Sequence, residues 1–165
     1  MKLEIRREIN CPTKKFWAFY FDPEFTQRLH LEALGSTSIE MLELRGDLKS
    51  GIERTLRYGQ RPEGPGPVMK LFGNEVITTE TGTYDSTTQV WSFVLEPGTL
   101  GGKTNIRGSI RVEDHKKTCE QVFRLEAKVR ILGLGSIVEK FIERQARDIQ
   151  ERAVTFVNHE LKKLK

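Results

Sequence analysis

The chain has 165 residues, 30% of them charged and 37% hydrophobic, with a formal net charge of +4. That length fits one domain spanning residues 1–165, able to bury roughly 70% of its unfolded surface without staples. Two cysteines without CxxC spacing exclude a disulfide scaffold and argue against zinc, and basic residues interspersed with acids argue against nucleic-acid binding.

Leu3, Ile5 and Ile9 alternate with Lys2, Glu4, Arg6 and Glu8, which predicts a half-buried first strand ending at Pro12. The same alternation is unlike a signal peptide, and no apolar run approaches the roughly 20 residues of a membrane span, so the expected location is cytoplasmic. Pro12 opens a short helix with an aromatic face of Phe16, Trp17, Phe19 and Tyr20. Asp22-Pro23 caps and starts a second helix, with Phe25 and Leu29 on its buried side, running to Gly35.

Six strands follow, near 37–45, 51–58, 74–84, 89–96, 104–114 and 117–130, separated by turns rich in Gly, Asp, Ser and Pro. One connection differs. Gly59 to Gly73 is too long for a hairpin turn and carries Val68, Met69, Leu71 and Phe72, so it is expected to form a loop with a short apolar tip or helical turn. Such a segment either caps the core or gates a cavity.

The longest helical signal closes the chain. Gly133 and Gly135 form a turn, and Ser136 with Glu139 matches a capping box, which predicts a helix from Ile137. Val138, Phe141, Ile142, Ala146, Ile149, Ala153, Phe156, Val157 and Leu161 make one apolar stripe, while Glu143–Arg147 and Asp148–Arg152 form spaced pairs on the charged face. At roughly 1.5 Å per residue the helix spans about 42 Å, so its stripe needs a broad curved sheet.

This order of elements resembles the helix-grip superfamily of START domains, birch-pollen-allergen-like proteins and polyketide cyclases, over the whole chain. Cys11-Pro12 leading to Phe16-Trp17, then Asp22-Pro23-Glu24-Phe25, is similar to the superfamily's first two helices. The run Gly133-Leu134-Gly135-Ser136-Ile137-Val138-Glu139 is similar to uncharacterised START-like members. The resemblance implies an α+β fold: a seven-stranded curved antiparallel sheet, two short helices and a long C-terminal helix enclosing a cavity. It also implies that the first and last strands pair, which would make Cys11 and Cys119 neighbours. The glycine-rich loop of the plant allergens is replaced here by residues 45–51, which weakens any direct analogy with plant-hormone binding.

No nucleophile elbow or phosphate-binding loop is present, and Gly133-x-Gly135 lacks the third glycine of a dinucleotide turn, so no cofactor is expected. His30, His115 and His159 have no metal-suited spacing and read as surface residues. Extrapolated alternation turns Arg54, with Ile52, Leu56 and Tyr58, to the inner face, and Arg7 likewise. Either arginine then pairs with Glu43, Glu80 or a carbonyl, or meets an acidic ligand group. The candidate ligand-binding residues are Arg7, Arg54, Tyr58, Met69, Phe72, Trp91, Phe93, Ile110, Phe123 and Phe141. The expected partner is a hydrophobic small molecule or lipid, with a transient contact at an anionic membrane surface through Arg61 and Lys70; the alternatives are a cyclase- or hydrolase-type enzyme and a regulatory module with a filled core. Oligomeric state stays open.

Overall fold

In the computed structural model, which describes residues 1–164, all seven strands join one antiparallel sheet in the order β1-β7-β6-β5-β4-β3-β2. The elements are β1 (Lys2–Ile9), α1 (Thr13–Tyr20), α2 (Pro23–Arg28), a π-helical turn (Leu29–Ala33), β2 (Ser38–Asp47), β3 (Gly51–Gln60), α3 (Gly66–Phe72), β4 (Val76–Asp85), β5 (Val90–Pro97), β6 (Thr104–His115), β7 (Thr118–Val129) and α4 (Gly135–Lys163). Short turns link sequential neighbours from β2 onward except between β3 and β4, where α3 intervenes, and β1 pairs with β7 at the far edge, from Lys2 opposite Glu126 to Ile9 opposite Cys119. The curved sheet grips α4, and the two short helices with the π turn fill the corner between β1 and β2.

Alternation explains which face is dry. Leu3, Ile5, Ile52, Leu56, Ile106, Ile110, Phe123 and Leu125 are buried on the inner face, whereas Arg107, Arg111 and Arg124 on the outer face are exposed. Asp22 caps α2 as expected, its Oδ2 accepting the Phe25 N–H at 2.7 Å. The acid-first pairs on α4 also form, Glu143 with Arg147 at 2.9 Å and Asp148 with Arg152 at 3.0 Å.

The start of α4 departs from expectation. The helix begins at Gly135, not Ile137, and has no side-chain cap. Carbonyl oxygens of the preceding turn supply the ordering instead: Ile131 O accepts the Gly135 N–H at 2.9 Å. Glu139 is therefore free to serve elsewhere, accepting the Val129 N–H at 3.0 Å and the Met1 amine at 3.1 Å, so it ties the helix to the end of β7. Gly135 is needed for this approach, because a Cβ there would lie 2.7 Å from the Val129 carbonyl oxygen.

Cys11 and Cys119 are both buried, with Cys11 two residues past Ile9, the residue that stands opposite Cys119 in the β1–β7 register, and the neighbouring thiols act on each other's titration. That interaction lowers the Cys11 pKa, and together with burial it raises Cys119 far above the usual thiol range. The 59–73 segment contains a true helix, α3, whose Val68 and Phe72 are buried against Val76, Leu100, Val129, Val138 and Phe141.

Candidate functional site

The stripe on α4 does not pack on the sheet along its full length. Val138, Phe141, Ala146, Val154 and Leu161 are buried, but Ile149, Ala153 and Val157 stay half-buried because they face a cavity of about 580 Å³ between helix and sheet. Phe72 and Phe141 close one end, with ring centroids 5.4 Å apart, and Phe93, Ile106, Ile110, Phe123 and Leu125 form the sheet side. The exposed wall residues Gly35, Arg61, Glu63, Asp148 and Arg152 mark its opening, between the π turn, the segment before α3 and the middle of α4.

Polar groups gather at the other end, where β3 and β4 approach α1. Arg54 is 4% exposed. Its Nη2 donates to Glu80 Oε1 at 3.0 Å and its Nη1 donates to the Tyr20 carbonyl at 2.9 Å. The guanidinium also lies over three rings, 4.9 Å from those of Tyr20 and Trp91 and 5.3 Å from that of Phe21. Burial alone would make this arginine less basic, but Tyr20 and Glu80 hold it above its ordinary value, so it stays a cation. Its Nε, also buried, has no hydrogen-bond partner among the described residues.

The register explains how sequence builds this cluster. Arg54 stands directly across from Gly82, and a Cβ on Gly82 would meet the Trp91 ring at 2.3 Å. Only glycine lets the indole slide under the guanidinium. Glu80, two residues earlier on β4, shares Gly82's face and reaches Arg54 diagonally.

Around the pair stand neutral groups. Tyr20 and Tyr58 line the cavity, their phenols pushed to high pKa by burial first and then by the negative charge of Glu80. The His30 ring lies 4.9 Å from that of Tyr58, tilted by 50°, and its Nδ1 lies 3.0 Å from Ser36 Oγ. Burial, then the Arg54 charge, lower its pKa to about 4, so the imidazole is neutral at physiological pH. Farther along the wall Gln121 Nε2 donates to Gln150 Oε1 at 2.7 Å.

The structure therefore brings Arg54, Tyr58, Phe72, Phe93, Ile110, Phe123 and Phe141 into one cavity wall, and places Arg7, Met69 and Trp91 outside it. Arg7 has the inward parity of β1, but it emerges at the sheet edge, exposed, and pairs with Glu151 of α4 at 3.1 Å. Trp91 is fully buried as the floor beneath Arg54, and Met69 sits half-buried on α3. Sequence reasoning missed His30, assigned to the surface above. His30 stands one helical turn after the buried Thr26 and shares its inward face, beside the face of Phe25 and Leu29, while the π turn closes across it with Leu34 N–H on the Leu29 carbonyl at 3.0 Å.

Known structures share this architecture. The Zhui aromatase/cyclase from Streptomyces sp. R1128 aligns with a TM-score of 0.70 at 12% identity, covering 98% of this chain and 95% of that one. A START superfamily protein from Mycobacterium smegmatis aligns at 0.66 and 9% identity over 99% of each chain. Norcoclaurine synthase from Thalictrum flavum, in complex with dopamine and hydroxybenzaldehyde, aligns at 0.59 and 19% identity over 100% and 88%. At such identities the likeness establishes the START-type helix-grip fold alone. No curated protein matches the sequence. A family model described as "Protein of unknown function (DUF2505)" matches residues 4–160, nearly the full sheet together with α4, and the chain belongs to that family.

Proposed function

We propose that this protein binds, and hands on, a hydrophobic or lipid-like small molecule held between the sheet and α4. The observation that carries the reading is the cavity: about 580 Å³, with many aliphatic and aromatic side chains in its wall and the Arg54–Glu80 pair at one end. Sites for small ligands typically measure about 300–1,000 Å³ and combine an apolar wall with a few placed polar groups. The norcoclaurine synthase of the same fold holds small aromatic molecules, which is consistent in kind.

Access in this reading runs through the 59–73 segment. Gln60, Arg61, Pro62 and Glu63 border the cavity, and α3 beside them has only seven residues, too few to be helical without the packing of Val68 and Phe72. A transient contact with an anionic membrane belongs to the same proposal, supported by exposed Arg61 at the opening and exposed Lys70 on α3.

Titration with the neutral apolar fluorophore N-phenyl-1-naphthylamine tests the reading. Saturable one-to-one binding is expected, and Ala153→Phe, which fills the cavity from a half-buried position on α4, should weaken it at least about tenfold while leaving the fold intact. Absent binding, or binding indifferent to Ala153→Phe, would remove the proposal.

A further inference from the structure

The Arg54 end of the cavity has a charge arrangement that restricts what can sit there. We infer that it receives an uncharged hydroxyl, an apolar alcohol or a phenol, and discriminates against the matching carboxylate. This rests on the ligand-binding reading above and sharpens it.

Arg54 by itself would invite an anion, but its charge is already met. One terminal nitrogen is on Glu80 and the other on the Tyr20 carbonyl, and the faces of three aromatic rings surround the cation. Nε has no partner among the described residues and each terminal nitrogen keeps a second N–H, but Glu80 already balances the single positive charge, so these donors can meet a neutral acceptor and bring no unmet charge for a carboxylate. An incoming carboxylate would bring a second negative charge next to Glu80 in a water-poor space, with no additional cation to offset it. Such burial is strongly unfavourable. The other charged wall residues, Arg61, Glu63, Asp148 and Arg152, lie at the opening, and Asp148 and Arg152 neutralise each other.

A hydroxyl fits what is left. Glu80 uses Oε1 for Arg54, while among the described residues no donor reaches its Oε2, an acceptor on the cavity wall. Tyr58 and Tyr20 line the same end with phenolic O–H donors that burial keeps protonated. An O–H group both donates and accepts, so it can give its proton to Glu80 and take one from a tyrosine. A carboxylate can only accept. The ring-lined wall beyond, with Phe93 and Phe123 stacked at 6.1 Å, suits a flat apolar body attached to that hydroxyl.

A matched fluorescent pair, 1-hydroxypyrene and 1-pyrenecarboxylate, provides the test at neutral pH. The hydroxyl compound should bind at least about tenfold more tightly, and Glu80→Gln should erase or reverse that preference by leaving the Arg54 charge unmet. Tyr58→Phe is the second variant: it keeps every charge, so it should cost 1-hydroxypyrene roughly fivefold more affinity than it costs N-phenyl-1-naphthylamine, and equal losses for the two would count against the hydroxyl contact. If the neutral fluorophore binds but the carboxylate matches or beats the hydroxyl compound, the inference is wrong and the cavity reading survives. If neither the fluorophore nor either pyrene binds, the cavity reading itself has failed.

Discussion

The two ends of the cavity are stabilised in opposite ways. At one, β3, β4 and α1 collect Arg54, Glu80, Tyr20 and Tyr58 around a buried ion pair; at the other, α3 and α4 meet through Phe72 and Phe141 with no charge involved. One strand serves both regions, since Arg54 and Gln60 are six residues apart on β3, roughly 20 Å at about 3.3 Å per residue. The polar end depends on partners in fixed geometry, so it suits recognition. The apolar end depends on non-directional burial of a short helix, so it can open and reclose without leaving a charge stranded.

A large effect should come from breaking the ion pair. Arg54→Ala leaves the half-buried Glu80 without its counter-charge and empties the space above Trp91, which should reduce stability by about 3 kcal/mol in urea unfolding. Replacing both members with apolar residues, Arg54→Met with Glu80→Leu, should recover most of that loss because no unpaired charge remains. A double variant as unstable as the single one would mean that the pair holds the sheet itself together.

These two ends were unequally legible in the sequence. Arg54 was readable because β3 alternates strictly and Ile52, Leu56 and Tyr58 fix its face; Glu80 was already among its possible partners. The same parity misplaced Arg7, because parity gives a face and not a depth, and β1 turned out to be an edge strand with α4's charged flank beside it. The strands and α4 were recovered to within about two residues because period two and period 3.6 are strong signals. His30 was hidden because its inward neighbour one turn earlier is Thr26, a polar residue that leaves no apolar mark of that buried face. Ser136 and Glu139 matched a capping box, but the preceding turn and the Val129 N–H competed for those roles.

At the apolar end, Phe72→Ala should cost about 3 kcal/mol, near the low edge for deleting a buried phenyl, because α3 can settle into part of the space. Its effect should stay local. Amide exchange along Gly66–Phe72, already expected to be faster than in the centre of α4, should accelerate further while Arg54's neighbours on β3 and β4 keep their protection. Equal acceleration at both ends would show that the cavity opens as one unit.

The smallest effect is also the most selective, because it titrates only the polar end. His30, held neutral beside Arg54, Tyr58 and Ser36, has its pKa lowered from 6.5 to about 4, chiefly by burial. As pH falls below 6.5 the unfolded chain takes up a proton that the folded one refuses, so stability declines from that point and the contribution levels off below about pH 4. Between about pH 7 and pH 5 this residue should remove roughly 2 kcal/mol, before most carboxylates have titrated. His30→Asn keeps an amide able to meet Ser36 but cannot ionise, so its stability should stay nearly flat across that interval. Urea unfolding of both proteins at the two pH values measures the difference directly. An unchanged slope in His30→Asn would place the acid sensitivity elsewhere, and would mean that the imidazole is wetter than its position against Tyr58 implies.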